Sequence, residues 1–150
     1  MNSNLKYLFD KLEKVKRLNF LVNHPNPSLN IQLNCNIKVI QSDDKSIITE
    51  EFGDWINNVG QKVVSKNVYR WTAQNNSIVK LEHLRFGEEK PIFLVDFYSE
   101  RNNLWKSLNP HICNNDIYSA EVLISHTIVK LIWNIETPKH SYSIVSTYYN

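Results

Sequence analysis

LNIQLNCNIKVIQ, residues 29–41, is the stretch whose reading decides the fold. Leu29, Ile31, Leu33, Cys35, Ile37 and Val39 alternate with Asn30, Gln32, Asn34, Asn36 and Lys38. A period of two sustained over residues 29–39 predicts a strand with one buried and one wet face. Asparagine is a poor strand former, yet polar residues on the solvent side cost little when the opposite face is packed.

The pattern continues on the C-terminal side. QSDDKS (41–46) reads as a turn, and IITEEFGDW (47–55) as a strand that bends at Gly53, where a missing Cβ relieves a close approach or a tight turn. NVYRWTA, SIVKLEHL, PIFLVDFYS, DIYSAEVLI, TIVKLIWNI and SYSIVSTYY are further strand candidates, separated by short polar segments such as AQNNS and FGEEK. On the N-terminal side HPNPS (24–28) breaks whatever precedes it. Residues 1–17 read as a helix: Leu5, Leu8, Phe9, Leu12 and Val15 or Lys16 recur at helical spacing, with Ser3 or Asn4 as the cap. Its outer face carries Lys6, Lys11, Lys14, Lys16 and Arg17 against Asp10 and Glu13. Such a helix either packs on the sheet or plugs a barrel end, or lies on an anionic membrane.

Eight or more strands at hairpin spacing with one helix predict a mainly β, antiparallel fold, a barrel or a sandwich. A barrel abolishes edge strands altogether, and the helix then becomes its lid or plug. A parallel α/β sheet is excluded, because its crossovers need helices that are missing. The expectation is one domain over 1–150, with the helix at 1–17 and barrel strands over 29–150.

Composition narrows the partners. The chain has 150 residues, 42% hydrophobic and 21% charged, the profile of an ordinary globular domain. A net charge of +2, with no basic run interleaved with aromatics, argues against nucleic acid. No stretch approaches the roughly 20 apolar residues of a transmembrane helix. The N-terminus lacks a signal peptide's apolar core, so a cytoplasmic location is the expectation. Cys35 and Cys113 are then expected as buried, reduced thiols. No cofactor motif is present.

Alternation sorts the faces. Val129, Leu131, Trp133 and Ile135 share one side and are assigned inward, as are Tyr118, Ala120, Val122 and Ile124. Residues 92–98 are apolar on both sides as far as Asp96, which asks for a cover over the outer face, assigned to the helix. Aromatic residues dominate the interior set. They either fill a small barrel or line a ligand cup. Arg70 lies between Tyr69 and Trp71; facing in, it needs a carboxylate such as Glu50, Glu51 or a ligand's, and facing out it is a solvated side chain.

PHICNNDIY (110–118) concentrates polar groups. His111-x-Cys113 followed by Asp116 offers too few ligands for zinc unless His24, His83, His126 or His140 converge on it, so no metal is assigned. It also offers a candidate acid–base pair, His111 oriented by Asp116. Read structurally, Asn114, Asn115 and Asp116 are turn formers, and Cys113 is a small buried group. The Asp116 carboxylate is expected to accept hydrogen bonds from the turn backbone and from His111 or Lys139.

The stretch from Pro110 to the C-terminus resembles a family of small bacterial proteins of unknown function, DUF6314, with its pattern H-x-C-x-x-D-x-Y, then W-x-V and G-P-K-x-Y. The matching residues are His111, Cys113, Asp116, Tyr118, Trp133, Pro138, Lys139, Tyr142 and Tyr148. Glu50 or Glu51 with Gly53 is similar to its Y-x-E-x-G region, and Tyr69 and Trp71 keep its aromatic spacing. The likeness covers roughly 45–150. Thr137 and Ser141 replace the family's glycine and aspartate, and its early G-x-W is missing. The resemblance implies a lipocalin-like, calycin-type barrel and no established activity.

Three functions remain open. The first is a binder of a small, largely apolar or anionic ligand, held by Arg70, Trp71, His111, Asp116, Tyr118, Trp133, Lys139 and Tyr142. The second is an interaction module with a filled barrel, including a homodimer. The third is an enzyme using His111 and Asp116.

Overall fold

The computed structural model describes residues 2–56 and 59–150, Trp55 by its backbone alone. A helix, α1 (Ser3–Leu12), precedes β1 (Arg17–Asn23), β2 (Ile31–Ser42), β3 (Ser46–Ile56), β4 (Lys62–Ala73) and β5 (Ile78–His83). Then follow β6 (Ile92–Arg101), β7 (Leu104–Ser107), β8 (His111–Cys113), β9 (Asp116–Ile124), β10 (Ile128–Glu136) and β11 (Ser141–Tyr149). Each strand pairs antiparallel with its neighbour, and β11 returns to β1, so the sheet closes on itself. β7 and β8 occupy successive stretches of one edge of β9, at Lys106↔Glu121 and His111↔Tyr118. Among the described residues the ring is therefore a closed antiparallel barrel of ten strands, two more than in lipocalin barrels.

The strand begins at Ile31, not at 29, because Leu29 closes a 3-10 turn over Pro27–Leu29 and is 51% exposed. From Ile31 on the alternation places its apolar set inward, but burial is graded: Ile37 is buried, whereas Ile31, at an open end, is 40% exposed. Gly53 lies opposite Cys35, whose Sγ would be 2.6 Å from a Cβ added at Gly53. The expected close approach is thus real and involves a thiol. In the 41–46 turn, Asp43 Oδ1 accepts from the amides of Lys45 and Ser46, both at 2.8 Å. Those two bonds hold its carboxyl below the usual range.

The N-terminal segment departs from the expected single helix over 1–17. The helix stops at Leu12, and Arg17–Asn23 is the first barrel strand. In that strand Leu18 is buried and Phe20 and Val22 are partly buried, a short alternation that helical spacing upstream obscures. The cap is Asn2, whose side chain accepts from the amides of Asn4 and Leu5.

The helix plugs the end of the barrel opposite the open one. Leu5, Leu8, Phe9 and Leu12 are 0–3% exposed and join Trp71, Phe97 and Trp105 in one core. Three hydrogen bonds fix the plug around the ring. Asn4 Nδ2 donates to Ser99 Oγ at 2.8 Å, Ser42 Oγ donates to Glu13 Oε1 at 2.7 Å, and Lys11 Nζ donates to the His126 carbonyl. The apolar stripe is consumed inside the barrel, not offered to a membrane or laid over the outer face of β6. No helix among the described residues is long and apolar enough to cross a bilayer.

Because the plug supplies the floor of the core, truncating it leaves a cavity. Leu8→Ala should destabilise by about 2–5 kcal/mol in urea melts, the range for buried leucine truncation. Lys14→Ala, on the exposed side, should stay within about 0.5 kcal/mol of the parent.

Candidate functional site

The plugged half is filled, and the other half is not. A cavity of about 480 Å³ opens between the rings and branched side chains of β1, β4, β5, β6, β10 and β11. A smaller space of about 200 Å³ adjoins it on the β2–β3 side, and Phe20, Glu51 and Asn67 line both. The hollow ends where Leu81 and Leu131 meet the packed core.

Inside sits a buried acid. Glu51 shares the inward face of β3 with Ile47 and Thr49 and is only 7% exposed. The Tyr148 hydroxyl donates to its Oε1 at 2.8 Å. Burial raises its carboxyl from near 4.5 to about 7, against a smaller opposing effect of the Tyr148 bond. Tyr69 and Tyr148 are both pushed up, first by burial and then by the adjacent Glu51. The His83 ring stacks on Tyr69 with centroids 5.0 Å apart, and its own pKa is lowered, mainly by burial. None of the described lining residues is Lys or Arg.

The sequence candidates divide into three groups. His111, Tyr118 and Trp133 line the cavity, with His111 and Tyr118 paired directly across the β8–β9 ladder. Their rings stand 5.9 Å apart at the mouth. Trp71 faces inward but lies in the packed half, where it stacks on Phe97 at 6.0 Å. Lys139 and Tyr142 belong to the rim. Lys139 is exposed in a turn that Thr137 ties, its Oγ1 accepting from the Lys139 and His140 amides, and Tyr142 packs its ring 5.1 Å from that of His24.

Arg70 is outside. Tyr69 and Trp71 both face inward, so alternation turns the residue between them to the outer surface. There its Nε donates to Glu82 Oε1 at 3.0 Å, on the residue directly opposite in β5, and Lys80 Nζ lies 3.7 Å from the other oxygen. The cation expected to hold an anionic ligand is engaged elsewhere, and the interior acid is Glu51.

The PHICNNDIY stretch is a hairpin with a two-residue loop, Cys113 pairing with Asp116. Asn114 takes a φ of 56°, a left-handed conformation asparagine tolerates. Cys113 is exposed at the mouth rather than buried, because it stands at the rim where the barrel wall ends; both thiols are free. The expected bonds of Asp116 are not formed: among the described residues its carboxylate has no hydrogen-bond partner, so nothing ties it to His111 or Lys139. His111 and Cys113 belong to no cluster of three or more potential metal ligands among the described residues.

Sequence reasoning missed the acid as a site residue, along with Tyr69, His83, Asn67 and Ser146. The signal was available: an ionisable residue on the inward parity of a strand, opposite the inward Asn67.

With this geometry in view, the match of the family pattern over residues 22–150 is informative. The chain belongs to DUF6314, a family of unknown function. A search of curated proteins finds no sequence match. Among solved structures, a redesigned β-barrel, b11L5F_LGL, aligns at TM-score 0.43 and 9% identity, covering 100% of this chain and 96% of that one. A second, EF1p2_mFAP2b bound to DFHBI, aligns at TM-score 0.42 and 9% identity, covering 100% and 99%. Likeness at this level carries no argument about a ligand.

Unfolded Glu51 titrates near 4.5 and the folded residue near 7, so between these values the native state holds a proton that the unfolded state releases. Stability therefore falls as pH rises through that window, by up to about 3 kcal/mol once the folded group ionises. Cys35, Asn67, Tyr69, Ser146, Tyr148 and His83 are the groups around it, and none supplies a fixed positive charge. Glu51→Gln should flatten this slope in urea melts run across the window. Asp116→Ala should change stability by less than about 0.5 kcal/mol, since it removes no hydrogen bond.

Proposed function

We propose that this DUF6314 barrel binds one small, largely apolar molecule in its open half. The observation that carries this reading is the cavity itself, about 480 Å³ of space lined mostly by aromatic and aliphatic side chains with a few polar groups set among them. That volume lies within the roughly 300–1,000 Å³ of small-molecule sites, which are concave, mainly apolar and oriented by a few polar contacts. Glu51, Tyr69 and His83 supply those contacts in the interior, and His111 and Tyr118 flank the entry. The anionic alternative lacks support, since the lining offers no Lys or Arg and its acid repels like charge.

An interaction role draws on a different feature. Ile56 and Val64, 71% and 70% exposed, stand on the β3–β4 hairpin. Light scattering across a concentration series tests whether they support a homodimer.

Binding is testable with a neutral environment-sensitive dye. Nile red should show a blue-shifted, saturable emission with one site per chain. Ile144→Trp, which adds volume at a half-buried lining position, should weaken the dye at least about tenfold while leaving the circular dichroism spectrum unchanged. Equal binding by the filled variant would place the dye elsewhere and sink the reading.

A further inference from the structure

We propose that the cavity takes a lipophilic amine: one protonated amino group paired with Glu51, and an apolar remainder lying against the aromatic wall. The inference rests on the reading that the barrel binds a small molecule, and it names the class.

Three observations converge on it. The first is an acid with an open coordination position. Glu51 is buried and its Oε1 is occupied by the Tyr148 hydroxyl, whereas Oε2 accepts no hydrogen bond from any described residue. The residue lines both the main cavity and the adjoining one, so its carboxyl borders open space.

The second is the lack of a resident cation. Lys66 pairs with Glu50 at 3.5 Å, and Arg70 with Glu82 at 3.0 Å; both pairs sit on the outer face, beside inward residues of the same strands. A carboxylate buried without a partner is costly, and a cation brought by a ligand removes that cost. A neutral ligand offers the ionised carboxylate no counter-charge, and an anionic one adds repulsion. A cationic group supplies the counter-charge that the described lining does not.

The third is the wall. Phe20, Tyr69, Trp133 and Tyr148 line the same space as Glu51. Aromatic faces attract ammonium groups through their quadrupole and also bury apolar surface, so one lining serves both halves of an amphiphilic cation.

The test compares three ligands of one shape: 1-naphthylmethylamine, 1-naphthylmethanol and 1-naphthoate. Each is titrated calorimetrically into the full chain near neutral pH and at low salt. The amine should bind at least about tenfold more tightly than the alcohol, and the carboxylate most weakly. E51Q, which keeps an oxygen to accept from Tyr148, should erase the preference by weakening the amine far more than the alcohol. Y148F, which keeps the acid, should retain the preference. Should E51Q fail to fold, E51D, whose charge is withdrawn by one methylene, must weaken the amine more than the alcohol. An amine no tighter than the alcohol, a carboxylate that binds best, or a preference that survives E51Q overturns the proposal while leaving an apolar binder intact. If all three ligands fail while Nile red binds, the amine assignment alone is wrong. If Nile red fails as well, the binding reading itself falls.

Discussion

The ladder between β1 and β11, running from Arg17↔Tyr149 to Asn23↔Ser143, joins the two ends of the sheet, and the rest of the molecule depends on that closure. Without it the sheet would leave two edges of unpaired backbone groups open to other chains. With it, the inward side chains face one enclosed space, which opens at its two ends. The helix seals one of them. Its four buried apolar residues and its bonds to β2, β6 and the β9–β10 turn make that end a packed core. Among the described residues the other end has no such plug, and the cavity is a consequence of that asymmetry.

Ring closure also explains why a carboxyl can be held in the interior. Glu51 sits on a strand whose inward face is fixed by pairing on both sides, to Ile37 of β2 and to Asn67 of β4. It cannot turn outward without shifting the register of the strand, which would expose Ile47 and turn Glu50 inward. Tyr148 comes from the closing strand, β11, so the one hydrogen bond the acid receives links residues 97 positions apart across the barrel interior. The dry surroundings then raise its pKa. In the cavity, fold and chemistry share a single cause.

The sequence by itself determined the class of fold. The 29–39 alternation, the repeated short apolar runs and the single helical pattern point to a mainly β, antiparallel fold, a barrel or a sandwich, because period-two burial needs one interior; closure of the ring makes it a barrel. The inward assignments of β9 and β10 follow from the same parity. So do His111, Tyr118 and Trp133 as cavity residues, since each lies on an inward parity near the open end. Tertiary structure decided the remainder. Arg70 and Glu51 are both charged residues in amphipathic strands, and which of them meets solvent depends on register to neighbours far away in sequence. Burial along 29–39 depends on the distance from the plug, which no local pattern encodes. Asp116 and Cys113 belong to a dense polar motif, yet the hairpin projects past the barrel wall, so neither is buried. Local periodicity specifies which side of a strand faces inward; only the assembled ring specifies how deep each position lies and what stands opposite it.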